Sequence, residues 1–544
     1  MTTSSRTPIS SCYSRRFVAQ LLTRSSGSST TPPGAALSLT DDGSSDEPWA
    51  LPPSRKQADK IEGPFPEQVE VVQGNMLFIA KAGLPEAMLN RLIRLAAFQN
   101  PEFYSAQSMR LSTWDKPRII SCGEELPQRI ALPRGCLDEV RDVLGQHDIH
   151  CNNRDERHMG QPIDAEFVGN LRDDQALAAH AMLAHDEGVL SAPTAFGKTV
   201  VAAKLIAERK VNALVLVHRR QLLDQWRERL AMFLNLPIKM IGQISGGKVT
   251  RANVVDVAVI QSLQHKGEVK DLVAEYGHVI VDECHHVSAF SVEQVMKQVK
   301  ARYVLGLTAT PTRKDGHHPI IFMQCGPIRF GVRVRDAAAR SPFQHLLLPR
   351  ITDFRMHAGN AEVTIHDVYS ALVADPNRNR IILDDVHAAV KNGLTPMVLT
   401  NRTDHLEQIA AGLKGLDHVL ILKGGMGKKQ RQAVADRLAA IPDEVPRVIL
   451  ATGSYIGEGF DDSRLDTLFL TMPISWRGTL QQYVGRLHRI HHGKRVVRVY
   501  DYVDIQVPML ARMYEKRLRG YQAIGYTLEN HPPATMARPL FWCS

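Results

Sequence analysis

The sequence predicts an α/β protein built from two parallel-sheet lobes in tandem, with a small α+β accessory domain and a disordered N-terminal tail ahead of them. Three observations carry this reading. The chain has 544 residues, room for several domains at roughly 150 residues each. Beyond residue 171, short all-apolar runs alternate with amphipathic stretches, the pattern of parallel strands covered on both faces. The first sixty residues instead are rich in Ser, Thr and Pro and have no apolar period long enough to offset the entropy of ordering them.

Taken in order, residues 1–60 form the tail. Arg6, Arg15, Arg16 and Arg24 precede the first acid, Asp41. That composition fits a mitochondrial transit peptide and, as the favoured alternative, the tail of a bacterial-type cytoplasmic protein. Residues 61–165 form the accessory domain, with a DNA-binding role open. Stretch 69–79 is strand-forming, and 84–98 has Leu89, Leu92, Leu95 and Ala96 at helical spacing. No nucleophile, paired carboxylate or metal-ligand cluster stands out there, and 152–157 reads as a solvated loop. The first lobe, 166–340, has expected strands at 188–191, 213–217, 254–260, 278–282 and 303–307. Residues 341–378 connect it to the second lobe, 379–544, with strands expected at 397–400, 418–422, 447–451, 467–471 and 496–500.

Composition narrows the function classes. With 44% hydrophobic and 23% charged residues, the chain is neither disordered, collagen-like nor coiled-coil. No apolar run approaches the ~20 residues that a membrane helix needs. The seven cysteines are odd in number, scattered and without a C-x-x-C pair, which argues for a reducing compartment and against a disulfide framework or zinc knuckle. The net charge of +9 favours a polyanionic partner such as nucleic acid.

The chemistry sits in a few strings. Ser191-Ala-Pro-Thr-Ala-Phe-Gly-Lys-Thr199 lies between an expected strand and an expected helix at 200–208, the place for a phosphate-binding loop. Backbone N–H groups and the helix N-terminus would cradle phosphates, Lys198 would reach the β/γ-phosphates of ATP and Thr199 would ligate Mg²⁺. Ala192 stands where the loop's first glycine is usual, and Ala195 replaces another common glycine. Further on, His278-Val-Ile-Val-Asp-Glu-Cys-His-His286 puts Asp282 and Glu283 at the C-terminal end of a buried strand. Ligands of open α/β sheets bind at that edge, so Asp282 would hold Mg²⁺ and Glu283 would deprotonate the attacking water. An acid pair alone would read as an exposed turn; the phosphate loop in the same lobe changes that. Zinc at Cys284, His285 and His286 fits poorly, since adjacent side chains diverge.

The order of these strings resembles the superfamily 2 helicases. Leu171-Arg-Asp-Asp-Gln175 is similar to their adenine-reading element, residues 192–199 to motif I, Val217-His-Arg-Arg-Gln221 to motif Ia and Asp282-Glu-Cys-His285 to the DExH box. Gly306-Leu-Thr-Ala-Thr-Pro311 resembles motif III, Leu399-Thr-Asn-Arg402 motif IV, residues 451–461 motif V, and Gln482-Tyr-Val-Gly-Arg-Leu-His-Arg489 motif VI. Within the superfamily the chain is most similar to the XPB/Ssl2 and UvsW-like group, with Pro133-Arg-Gly135 matching its join between an N-terminal DNA-binding domain and the ATPase. Arg313-Lys-Asp315 resembles that group's Arg-Glu-Asp element, with Lys314 in place of Glu. The region from Leu84 onward also resembles the helicase portion of bacterial TOTE-type conflict systems.

The resemblance implies RecA-like lobes, ATP and Mg²⁺ as cofactors, and ATP hydrolysis stimulated by nucleic acid and coupled to translocation or unwinding, with DNA more expected than RNA. It implies nucleotide contacts from Leu171, Arg172, Gln175, Ala192, Pro193, Thr194, Ala195, Phe196, Gly197, Lys198, Thr199, Gly459, Asp461 and Gln482. Arg486 and Arg489, three apart on one helix face, would neutralise charge on the γ-phosphate from across the cleft. Arg219, Gln221, Gln261, Ser262, Thr403 and Lys423 would grip a nucleic-acid backbone, while Thr308, Thr310 and Arg313 would couple the lobes. Two other classes remain: a translocating subunit working with restriction, defence or repair partner proteins, and a non-catalytic nucleic-acid-binding scaffold, for which the losses at Ala192 and Ala195 are the support.

Overall fold

The computed structural model describes residues 61–265, 267–284, 289–311, 315–332, 335–336, 341–356, 364–453, 462–474 and 477–529. The tail lies outside them.

The first lobe is an eight-stranded sheet in the order Lys248–Thr250, Ile241–Ser245, Val255–Val259, Ala213–Val217, His278–Val281, Tyr303–Thr308, Glu187–Ser191, Ile328–Gly331. All neighbours run parallel except the Lys248–Thr250 edge. The sequence forms this sheet because each central strand is apolar on both faces. In Ala213–Val217, residues 213, 215 and 217 enter one core cluster while Leu214 and Leu216 enter the other, on the opposite face.

The second lobe repeats the architecture. Its seven strands are all parallel, in the order Val419–Leu422, Val448–Thr452, Pro396–Thr400, Thr467–Leu470, Val496–Val503, Gln344–Ile351, Thr527–Leu528. Again Met397 and Leu399 face one cluster and Val398 the other. The protein is therefore an α/β molecule with tandem RecA-like lobes.

Several expectations need correction. Stretch 69–79 is two strands, Gln68–Gln73 and Leu77–Ala80, turned at Gly74. The helix of 84–98 is Glu86–Leu95, followed by the strand Ala97–Gln99. Residues 152–157 are not a solvated loop. Through Asp155 they belong to the strand His150–Asp155, parallel to Gln68–Gln73, and Arg157 is a largely buried ion-pair centre. The polar side chains hid a strand that its backbone ladder holds. Residues 344–351, expected to connect the lobes, form an internal strand of the second sheet.

The accessory sheet has the order Glu124–Glu125, Arg129–Leu132, Leu77–Ala80, Gln68–Gln73, His150–Asp155. It is keyed to the first lobe. Buried Arg134 donates from Nε to Glu187 Oε1 (3.0 Å) and from Nη2 to Ala301 O (2.7 Å). A Cβ on Gly135 would lie 2.1 Å from Phe322 O, so only glycine permits this approach. Arg157 adds bonds to Asp186 (2.8 Å) and Glu187 (3.4 Å).

Candidate active site

The strand Glu187–Ser191 runs into a loop whose backbone is shaped by two left-handed residues. Ala195 has φ 72° and Gly197 φ 88°, and Lys198–Arg209 then begins as a helix. At Ala195 this conformation costs about 1–2 kcal/mol that glycine would not incur. Consecutive amides in such a conformation, ahead of a helix N-terminus, form a concavity suited to phosphate. Ala192, Pro193 and Phe196 are buried in its walls, and Thr199 lies in the first helical turn.

Gln175, on the helix Asp173–Leu183, is buried against this loop. Its Nε2 donates to Phe196 O (2.8 Å) and its Oε1 accepts from Arg172 N (3.0 Å). Arg172 Nη2 also donates to Phe196 O (2.7 Å), and its guanidinium lies over the Phe196 ring. The structure thus engages Gln175 first in bracing the phosphate loop. A Cβ on Gly197 would come within 2.4 Å of Gln175 Nε2. Leu171 packs against the adjacent core.

Next to the loop, Asp282 and Glu283 end the strand His278–Val281. Asp282 N donates to Leu216 O (2.9 Å) and Cys284 N to Leu307 O (3.0 Å), which stitches the acidic turn between two neighbouring strands. Glu283 has φ 44°, a strained value for a non-glycine residue and a frequent mark of functional sites. Lys198 Nζ donates to Ala192 O (3.0 Å) and lies 3.6 Å from Glu283 Oε1. Asp282 Oδ2 accepts from Trp226 Nε1 (2.6 Å) and Oδ1 from Glu283 N (3.0 Å). Burial and the Glu283 charge push the Asp282 carboxyl up to about 6, opposed by the Trp226 bond and by Lys198 and His218. A carboxyl perturbed in this way marks a candidate functional site.

Trp226 escaped the sequence reading. On the helix Arg220–Phe233 it falls in the buried stripe Leu223, Trp226, Leu230, which reads as core packing; only the spatial neighbour reveals its polar edge.

The second lobe closes on this site through motif VI. The helix Arg477–Gly485 carries Gln482 and ends where a Cβ on Gly485 would lie 2.8 Å from Thr194 Cβ of the phosphate loop. Arg486 and Arg489 follow immediately. They are not on one helix face as expected: Arg486 N, Leu487 N and His488 N bond three residues back, to Tyr483, Val484 and Gly485.

In motif III, Thr308 Oγ1 donates to Thr310 O (2.7 Å) and accepts from Thr310 N (3.2 Å), locking the turn. Arg313, Gly459 and Asp461 lie outside the described residues, as do His285 and His286. Cys284 is buried with its thiol raised well above the usual range, and among the described residues no group of His, Cys, Asp or Glu is arranged to hold a metal on its own.

The suggested nucleic-acid contacts all follow C-terminal strand ends. Arg219 and Gln221 come after Ala213–Val217, Gln261 and Ser262 after Val255–Val259, Thr403 after Pro396–Thr400 and Lys423 after Val419–Leu422. Ser262 Oγ accepts from Gly246 N (2.9 Å), and Lys423 Nζ lies 3.3 Å from Glu407 Oε1.

Residues 169–313 match the family described as type III restriction enzyme, res subunit. Protein 161L of Invertebrate iridescent virus 6, named as a helicase, is 26% identical over 397 residues, which cover 69% of this chain and 86% of that protein. The DNA 3′-5′ translocase XPB2 of Sulfurisphaera tokodaii is 31% identical over 225 residues, 41% of this chain and 49% of that one. A solved fragment of a type I restriction enzyme HsdR subunit from Vibrio vulnificus shares the fold, with a TM-score of 0.50 at 17% identity over 67% of this chain and 69% of the fragment. Twin parallel-sheet lobes, the ordered motifs and these relatives together support an ATP-hydrolysing enzyme similar to the superfamily 2 helicases.

Proposed function

We propose that the seam between the lobes binds ATP with Mg²⁺, and that the chain couples hydrolysis to translocation along DNA or to duplex unwinding. The observation that carries this is the approach of Gly485 to Thr194, which brings the start of the motif VI turn to a loop that holds Lys198 next to Glu283. The concave backbone at 195–198 and the costly burial of Asp282 fit a triphosphate and a divalent cation. Bound there, ATP supplies the phosphoanhydride whose cleavage drives the cycle. Lys198 and the loop amides would hold its phosphates, with Thr199 and Asp282 toward the cation. Glu283 would take the proton of the attacking water, and the two arginines would meet charge at the γ-phosphate once the lobes close.

DNA is favoured over RNA by the similarity to XPB2, whose name specifies DNA, and the charge of +9 suits a polyanion. Grips from Arg219, Gln221, Gln261, Ser262, Thr403 and Lys423 would address the backbone and be indifferent to sequence. Thr308, Thr310 and Arg313 would couple the lobes. The family match also supports a second reading, a translocating subunit that leaves cutting or unwinding to repair or defence partners. The five described cysteines are all free, which supports a reducing, cytoplasmic setting. No described helix is long and apolar enough to cross a membrane.

The test is ATPase rate without polynucleotide and with single-stranded DNA, duplex DNA or RNA, at two salt concentrations. Stimulation by DNA that weakens as salt rises supports the proposal. Glu283→Gln should retain ATP and DNA binding but lose turnover by about two orders of magnitude or more. Undiminished hydrolysis in that variant would remove Glu283 as the base. ATPase without strand displacement would favour the second reading.

A further inference from the structure

Segment 100–118 of the accessory domain is an excursion that the motor does not use. It leaves and returns through a two-stranded ladder, Ala97–Gln99 against Ile119–Ser121. At its neck, buried Asn100 ties both arms. The Asn100 backbone N–H donates to Arg118 O (2.9 Å), Nδ2 donates to Pro117 O (2.7 Å), and Oδ1 caps the helix Pro101–Ser108 by accepting from Glu102 N (3.0 Å). Lys116 N bonds back to Thr113 O (3.1 Å), so Trp114 and Asp115 form the corner of a tight turn.

The backbone is held, yet Trp114 is 89% exposed, with Met109, Leu111 and Ile119 also exposed nearby. Arg110, Lys116 and Arg118 lie within four residues of Trp114 along the chain, and the one carboxylate in the stretch 110–118, Asp115, is paired by Lys116 at 3.1 Å. The Arg118 guanidinium in turn lies over the Phe103 ring.

We propose that this excursion is a nucleic-acid contact in which Trp114 stacks on an unpaired base while Arg110 and Arg118 meet the adjoining phosphates. The inference rests on the nucleic-acid motor proposed above. An exposed flat ring flanked by cations is the arrangement that binds single strands without reading sequence, because every base offers a π-face. In a duplex both faces of each base are covered, so the ring selects unpaired bases. The mounting also makes the contact useful. Phe98, in the ladder, meets the ring of His317 edge-on at 6.2 Å, a few residues beyond the motif III turn. A base held at Trp114 is thus held relative to the lobe that carries the phosphate loop.

The test uses the full chain without nucleotide and fluorescently labelled oligothymidylate or a DNA duplex as probes. Trp114→Ala should weaken oligothymidylate binding by about five- to a hundredfold and leave duplex binding unchanged. Trp114→Phe should recover most of the loss, and Arg110→Glu with Arg118→Glu should weaken binding with a shallower salt dependence. Melting temperature and ATPase without polynucleotide should stay at wild-type values in all three. Equal affinities of wild type and Trp114→Ala for oligothymidylate would overturn the proposal, as would equal losses on single strand and duplex. Self-association of the wild type that Trp114→Ala abolishes, with oligothymidylate binding intact, would assign the surface to a second copy and also overturn it. A wild type that binds no polynucleotide would instead strike the motor reading itself.

Discussion

Replacing Trp226 with phenylalanine removes the N–H that holds Asp282 while leaving an aromatic ring in the same buried slot. A hydrogen bond to an ionised partner contributes about 1.5–3 kcal/mol, against about 0.5–1.5 kcal/mol between neutral groups. The smaller ring adds a loss of roughly 1–2 kcal/mol that does not depend on pH. Burial, and then the Glu283 charge, raise the Asp282 carboxyl in the fold from its ordinary 3.8 to about 6. A carboxyl raised in this way binds more protons folded than unfolded, so stability falls as pH rises through that window. Without the indole bond the carboxyl rises further, and the fall extends to higher pH. The variant's deficit should therefore be about 1–2 kcal/mol larger at pH 8 than at pH 5. Hydrogen exchange on peptides spanning His278–Val281, measured for both proteins at both pH values, reads this local stability directly. A deficit equal at the two pH values would refute the charge-assisted bond, leaving Trp226 as packing alone.

Three further outcomes follow from the geometry. Gly485→Ala puts a methyl group 2.8 Å from Thr194; ATPase kcat should drop about ten- to a hundredfold through misplacement of the arginines, with the melting temperature of each lobe unchanged. In the second lobe Arg517 donates from Nε and Nη2 to Asp501, both at 2.8 Å and both nearly inaccessible. Arg517→Met should cost about 3–5 kcal/mol in urea unfolding of that lobe, with part recovered when Asp501→Asn is added. Burial pushes His345 and His405 down to about 4 and His488 to about 3. Unfolded, these rings bind protons near 6.5 and folded they do not, so second-lobe stability should fall as pH drops from 6.5 toward 4, by about 1.4 kcal/mol per pH unit for each ring. Circular dichroism across that range checks it, and His345→Phe should flatten the slope.

The strands were legible where physics leaves few alternatives. A parallel strand covered on both faces must be apolar at every position, as in Ala213–Val217 and His278–Val281. Where the interior accepts polar groups, legibility fails. Ile241–Ser245 buries Gln243 and Ser245 and was not anticipated. Gln344–Ile351 pairs with Val496–Val503, far along the chain, so no local pattern announces its place. In the site, the phosphate-loop and acid strings were visible as strings, but the turn after Gly485, the bracing by Gln175 and the polar edge of Trp226 belong to three-dimensional neighbours. Arg157 shows the same limit: among Asn152-Asn-Arg-Asp-Glu-Arg157 it looks like one more solvated charge until Asp186 and Glu187 come beside it.

That last pairing gives the molecule a load path. Glu187, gripped by Arg134 and Arg157, opens the strand whose other end passes directly into Ala192. Five extended residues at about 3.3 Å each make a strut of roughly 16 Å, braced on both sides by Tyr303–Thr308 and Ile328–Gly331. The strut thus joins the two arginines of the accessory domain to the loop at 192–198 through a single braced strand, with no free segment between them.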